Sequence, residues 1–119
     1  MCSEHTFQRS SASNTPINDG AWHFATGTYD GSRQKLFVDG VLENEDPQSG
    51  SIADSDKLVC IGGFCDGTGG RGSTGEKFPG LIDEIAIYNR GLPQEVVKNN
   101  YCALEAMVGS DLAANGCLP

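Results

Sequence analysis

The chain has 119 residues, enough for one domain, and its 16 acidic and 8 basic residues leave a net charge of −8. It contains no apolar run of about 18 residues that would predict membrane insertion. Met1–His5 shows no basic region leading into an apolar run, so no signal peptide is visible. An acidic surface without a local basic patch repels phosphate backbones and anionic lipid, which argues against nucleic-acid binding.

Five cysteines, Cys2, Cys60, Cys65, Cys102 and Cys117, are dense for a reducing compartment and fit an exported protein. The odd number leaves at least one thiol unpaired or paired between chains. Cys60 and Cys65 are spaced to close a short loop, and Cys102 and Cys117 to tie the C-terminal tail back to the segment before it. His5 and His23 lie far from each other and from the cysteines, so no zinc cluster is expected.

Residues 1–20 are polar and read as a tail or an edge strand. Ala21–Tyr29 is rich in aromatic and β-branched residues and ends at Asp30-Gly31, a turn signal. Lys35–Val38 follows and ends at Asp39-Gly40, so the two runs predict a hairpin, with Val41-Leu42 continuing the second strand beyond a bend. Residues 43–57 predict a polar loop with a short strand near Ser51-Ile52. Leu58–Phe64 predicts a further strand weakened at Gly62-Gly63, and Asp66–Gly80 a long glycine-rich loop. Leu81–Tyr88 is the strongest strand pattern: Leu81, Asp83, Ile85 and Ile87 share one face, and Ile82, Glu84, Ala86 and Tyr88 the other. The period then changes. Pro93 suits a first helical turn, Gln94 and Glu95 suit its positive end, and Val97, Tyr101 and Leu104 form an apolar stripe with Val96 beside it. Gly109 is the expected stop.

Three blocks carry a resemblance. They are Trp22-His23-Phe24-Ala25 with Tyr29-Asp30-Gly31, then Leu36-Phe37-Val38-Asp39-Gly40, then Phe78-Pro79-Gly80-Leu81-Ile82-Asp83-Glu84-Ile85-Ala86-Ile87-Tyr88-Asn89-Arg90-Gly91-Leu92 running into a helix. In this order the segment Trp22–Tyr101 resembles the second half of a laminin-G-like jelly roll of the concanavalin A-like lectin/glucanase group. The resemblance implies an all-β antiparallel sandwich, truncated or minimised, with one short C-terminal helix. Its spans are a tail or edge strand over 1–20, the sandwich with its terminal helix over 21–108, and a tail over 109–119. Domains of this kind carry several more strands before the tryptophan block, whereas 21 residues precede Trp22 here. A fragment, a partner subunit supplying strands, and a minimised fold are the alternatives. A half-sandwich exposes an apolar face and free edges, which predicts self-association into a homo-oligomer.

The resemblance also makes Asp83 the candidate calcium ligand, since calcium takes carboxylate and carbonyl oxygens. An acid beside Ile85 and Ile87 needs a partner if it is buried. The bland reading has Asp83 bonding backbone amides at the strand start. Asp30 and Asp39, each before a glycine, are expected to serve turns. Asp54 and Asp56 resemble the opening of an EF-hand loop, but Leu58-Val59 stands where oxygen ligands are needed. Gly67–Gly72 fits a dinucleotide glycine pattern without the strand and immediate helix that pattern requires. Glu76 stands where a phosphate-binding loop needs lysine.

Neither histidine shows a nucleophile–base–acid context, and no paired-carboxylate strand of a glucanase is present. Trp22, Phe24 and Tyr29 are candidates for stacking on sugar rings, against the plainer reading that strand aromatics are core. The expected function is therefore non-catalytic recognition of a glycan, glycoprotein or protein at the cell surface or outside the cell. The ligand-binding rim is placed at Asp66, Thr68, Arg71 and Lys77. The alternatives are a self-assembly module that completes its sandwich with another subunit, and a fragment of a larger surface protein or glycoside hydrolase.

Overall fold

The computed structural model describes residues 12–52, 59–63, 77–109 and 116–117. The chain divides into two compact units, Met1–Ser51 with Tyr88–Pro119, and Ile52–Ile87.

The first unit holds an antiparallel three-stranded sheet in the order β1-β2-β3, with β1 at Ala25–Tyr29, β2 at Arg33–Val38 and β3 at Val41–Pro47. Helix α1 spans Gln94–Met107. Asp30 builds the first connection: one carboxylate oxygen accepts the Ser32 and Arg33 amides at 2.8 Å each and the Ser32 hydroxyl at 2.9 Å. These three donors hold its pKa down at about 2, the Ser32 amide contributing most. The second connection has two residues, Asp39 and Gly40, both left-handed at φ 52° and 78°. Positive φ at both centres is the I′ pattern, whose twist suits a tight hairpin.

This turn corrects the reading of Val41-Leu42 as an extension of the second strand. The chain reverses at Asp39-Gly40, and Val38 pairs with Val41. It also corrects the reading of Glu43, Glu45 and Asp46 as loop residues, because all three lie in β3. An edge strand tolerates such a polar sequence. The register passes from Phe37–Leu42 to Leu36–Asn44, so Glu43 is the extra residue of a bulge. Its carboxylate accepts the Asn14 amide at 2.8 Å, the Thr15 amide at 3.0 Å and the Thr15 hydroxyl at 2.5 Å. The Thr15 hydroxyl leads in holding Glu43 below the usual carboxylate range. Asn44 adds a bond from its side-chain amide to the Ala12 carbonyl at 3.3 Å. Residues 12–15 are thereby strapped along β3.

Helix α1 matches its predicted stripe. Val97 and Tyr101 are buried, Pro93 stands at the N-cap, and Gly109 follows the C-cap with φ 74°. The core is small: Phe37, Leu92 and Val97, with Leu42 and Val96 packed against them. Phe37 is 1% exposed and Val97 0%. A disulfide joins Cys102 to Cys117, the tail-to-helix closure read from their spacing. Cys60 is also disulfide-bonded, while Cys65 lies outside the described residues.

In the second unit, Gly63 and Lys77 form one isolated antiparallel bridge, and the Phe78 amide donates to the Gly62 carbonyl at 2.9 Å. The described part of Leu58–Phe64 holds no strand beyond that bridge, and Ser51-Ile52 holds none. The largest departure is at Leu81–Tyr88, which forms no strand and is exposed throughout. A strand exists by pairing, and among the described residues no ladder lies along this segment. Glu84 adopts φ 53°, which interrupts the extended path. The predicted alternation is present, but no second sheet is built on it among the described residues. Among the described residues the fold is an antiparallel three-stranded sheet with one helix.

Candidate functional site

The hairpin register places Ala25 opposite Val38, which brings the preceding residues of the tryptophan block against the Asp39-Gly40 turn. Phe24 and Asp39 exchange two bonds: the Asp39 amide donates to the Phe24 carbonyl at 2.8 Å, and the Phe24 amide donates to the Asp39 carboxylate at 2.9 Å. The Phe24 ring stacks on Tyr101 of α1 with centroids 6.2 Å apart. Tyr101 in turn lies under the Lys98 ammonium, 5.7 Å from the ring centre. One residue upstream, His23 bridges two carboxylates, with Nδ1 2.8 Å from Asp39 and Nε2 2.9 Å from Asp19. The same Asp19 oxygen accepts the Ala21 amide at 3.0 Å across Gly20, which takes φ 82°.

These contacts set the local electrostatics. The hydrogen bond to Asp39, then that to Asp19, raises the pKa of His23 above its ordinary value. The Ala21 amide, then His23, lowers that of Asp19. Between the pinned residues stands Trp22, 66% exposed. A large aromatic ring left in water on a backbone fixed from both sides is a preorganised surface for stacking. An open depression of 470 Å³, lined by Gly40, Val41, Gln94, Glu95 and Lys98, adjoins the same turn.

Of the rim residues read from the sequence, Asp66, Thr68 and Arg71 lie outside the described residues. Lys77 is exposed, and its backbone forms the bridge to Gly63. Asp83 is exposed and its carboxylate accepts the Glu84 amide at 2.8 Å, the backbone bond of the bland reading. Among the described residues no hydrogen bond or ion pair joins Lys77 to Asp83, and no cluster of three His, Cys, Asp or Glu side chains could hold a metal ion. Calcium takes six to eight oxygens, so Asp83 and its described neighbours do not fit a calcium site on their own.

The Asp19–His23–Asp39 chain is not legible in the sequence because Asp39 is 16 residues from His23 and no motif marks Asp19 as its partner. The signal was the hairpin itself: once the strands on either side pair, Phe24 and His23 fall beside Asp39. Trp22 reads as core only if it lies inside the strand, and β1 begins three residues later at Ala25.

A family model for a laminin G-type domain, described as concanavalin A-like lectin/glucanases superfamily, matches residues 3–98. Among solved structures, the fold is similar to a 2.1 Å crystal structure of an S-layer domain-containing protein (residues 221–444) from Clostridium thermocellum ATCC 27405. The TM-score is 0.60 and the identity 19%, over 75% of this chain and 43% of that one, so this chain spans less than half of that structure. No curated protein matches the chain. The match over residues 3–98 places this chain in the concanavalin A-like lectin/glucanases superfamily, through a domain of laminin G type.

Proposed function

We propose that this domain is a non-catalytic recognition module that binds carbohydrate, free or on a glycoprotein, with Trp22 as its stacking platform. The observation that carries the reading is the exposure of Trp22 on a backbone locked by Asp19, His23 and Asp39. Sugar rings offer apolar C–H faces to an indole, and the half-exposed Asp19 side chain lies three residues away as an acceptor for hydroxyls. Membership of a superfamily named for lectins supports the same ligand class. The likeness in fold to an S-layer domain-containing protein and the disulfides support a setting at the cell surface or outside the cell.

The non-catalytic part of the reading rests on the sequence, which carries no paired-carboxylate strand of the glucanase type. A glycan array probed with the native chain and with Trp22→Ala tests the proposal. Binding by the native chain that disappears in the variant supports it. Equal binding by both, or none by either, overturns it.

A second reading has its own observation. Leu81 is 78% and Ile87 77% exposed, with Ile82 and Ile85 also exposed on a run whose two faces are both apolar. Such a run suits a strand covered on both sides, which favours a self-assembly module that pairs this segment with another copy. Light scattering tests this directly, since a monomer at high concentration rules it out. Calcium in that assembly would need ligands beyond Asp83, and a chelator added to the same sample tests for it.

A further inference from the structure

His23 faces two partners that can only accept. Asp19 and Asp39 as carboxylates offer lone pairs and no proton, and both ring nitrogens of His23 are within hydrogen-bond distance of one of them, at 2.9 and 2.8 Å. An imidazolium has two N–H donors and satisfies both. A neutral imidazole has one, so its second nitrogen sets a lone pair against a carboxylate oxygen. Loss of one proton therefore breaks one of the two bonds.

The two sides are not equally anchored. Asp39 sits in the I′ turn, bonded twice to Phe24 and beside Gly40, which packs on Tyr101 and Lys98 of α1. Asp19 belongs to an exposed segment, and besides His23 its carboxylate accepts the Ala21 amide. The bond to Asp19 is the one that yields, and the segment it releases, Asp19–Ala21, leads directly into Trp22.

We propose that His23, clasped between Asp19 and Asp39, is a pH-sensitive latch that fixes the Trp22 loop while the imidazole is protonated and frees it when the proton leaves. This names a regulation of the site under Proposed function, and its consequence for binding rests on that reading. The charged groups facing the latch are Asp19 on its own segment and Asp39 on the turn. On the helix side, Tyr101 and Lys98 stand against the turn, with Glu105 acting on Tyr101. The pKa of His23 is raised by its two partners above its ordinary value of 6.5, so the latch is fully engaged below 6.5 and lost as pH rises through the higher, folded value.

Trp22 is the one tryptophan of the chain, so its emission and anisotropy report on this loop without interference. The test follows Trp22 anisotropy and the His23 ring resonance by NMR from acid to alkaline pH, without ligand, with the His5 signal assigned by His5→Gln. The expected result is a fall in anisotropy whose midpoint coincides with the His23 titration and lies above 6.5. Asp19→Asn lowers that midpoint, and His23→Gln abolishes the transition while the amide spectrum of β1–β3 persists. A flat anisotropy across the His23 titration, or a midpoint at or below 6.5, overturns the latch. Because this readout uses no glycan, it fails or succeeds separately from the array. If both hold, glycan affinity falls across the same pH interval.

Discussion

Tyr101 occupies the space that any side chain at position 40 would need. A Cβ built on Gly40 would stand 2.9 Å from Cδ1 of the Tyr101 ring and 3.0 Å from Cδ of Lys98. The β2–β3 turn can pack on α1 because its second residue has no side chain, and the same glycine supplies the φ of 78° that the turn requires. Gly40→Ala therefore incurs both costs, about 1–2 kcal/mol of left-handed strain and about 1–3 kcal/mol of overpacking. Gly31→Ala is the control: its φ is 94° with no heavy atom within 4 Å of the added Cβ, so strain alone applies. Urea unfolding of the two variants is expected to show the larger loss at Gly40.

The sheet-to-helix contact rests on very few residues, which makes each of them sensitive. Phe37 from β2 and Val97 from α1 are the fully buried side chains of the described core. Phe37→Ala is expected to cost about 3–5 kcal/mol, a large part of the total for a small domain. The measurable outcome is a collapse of the cooperative urea transition, whereas Val97→Ala, losing two methyl groups, shifts the midpoint and keeps the transition.

The parts of this arrangement that were legible from sequence are those set by local chemistry. Asp30-Gly31 and Asp39-Gly40 marked turns, and Pro93 with the Val97–Tyr101 stripe marked the helix. What failed depended on pairing. Glu43–Asp46 reads as loop because it is polar, yet β2 recruits it as an edge strand and a bulge turns Glu43 toward the N-terminal segment. Leu81–Tyr88 reads as the strongest strand because its alternation is real, yet among the described residues no strand pairs with it. His23 reads as isolated because Asp39 lies 16 residues away and comes beside it only when β1 and β2 pair, while the Asp19 contact, four residues off, belongs to no regular element.

The bond between Cys102 and Cys117 closes a separation of 15 residues and ties the chain beyond α1 to the middle of that helix. A loop of that length is worth roughly 3 kcal/mol through the restricted unfolded chain. Cys102→Ser should lower the thermal midpoint by an amount consistent with that figure and leave the far-ultraviolet helix signal at low temperature intact. A variant as stable as the native chain would show that the unfolded chain is already restricted there.

Asp30 ties acid stability to the first hairpin. Its carboxylate accepts three donors from Ser32 and Arg33, so the folded pKa, about 2, lies below its ordinary value of 3.8. A depressed carboxylate stabilises the fold above its unfolded pKa and loses that contribution as pH falls through the folded one. The window is therefore pH 3.8 down to about 2. Carboxyl resonances followed by NMR should show Asp30 titrating near the bottom of that window. In Asp30→Asn, the acid-induced loosening of Ser32 and Arg33, read by amide exchange, should no longer depend on pH there.

Trp22 separates binding from folding more cleanly than any other residue here. Its ring is largely in water, so its removal leaves no cavity, and Trp22→Ala should stay within about 0.5 kcal/mol of native stability. An aromatic stacking contact contributes about 0.5–1.5 kcal/mol beyond buried area, and 1.4 kcal/mol corresponds to about tenfold in affinity. Titration calorimetry with a glycan selected on the array should therefore show roughly tenfold weaker binding for Trp22→Ala and an intermediate loss for Trp22→Phe, at unchanged melting temperature. The rim residues offer the contrasting result. Arg71→Ala and Lys77→Ala should leave affinity unchanged if the ring is the platform. A loss confined to those two would move the site to the glycine-rich loop.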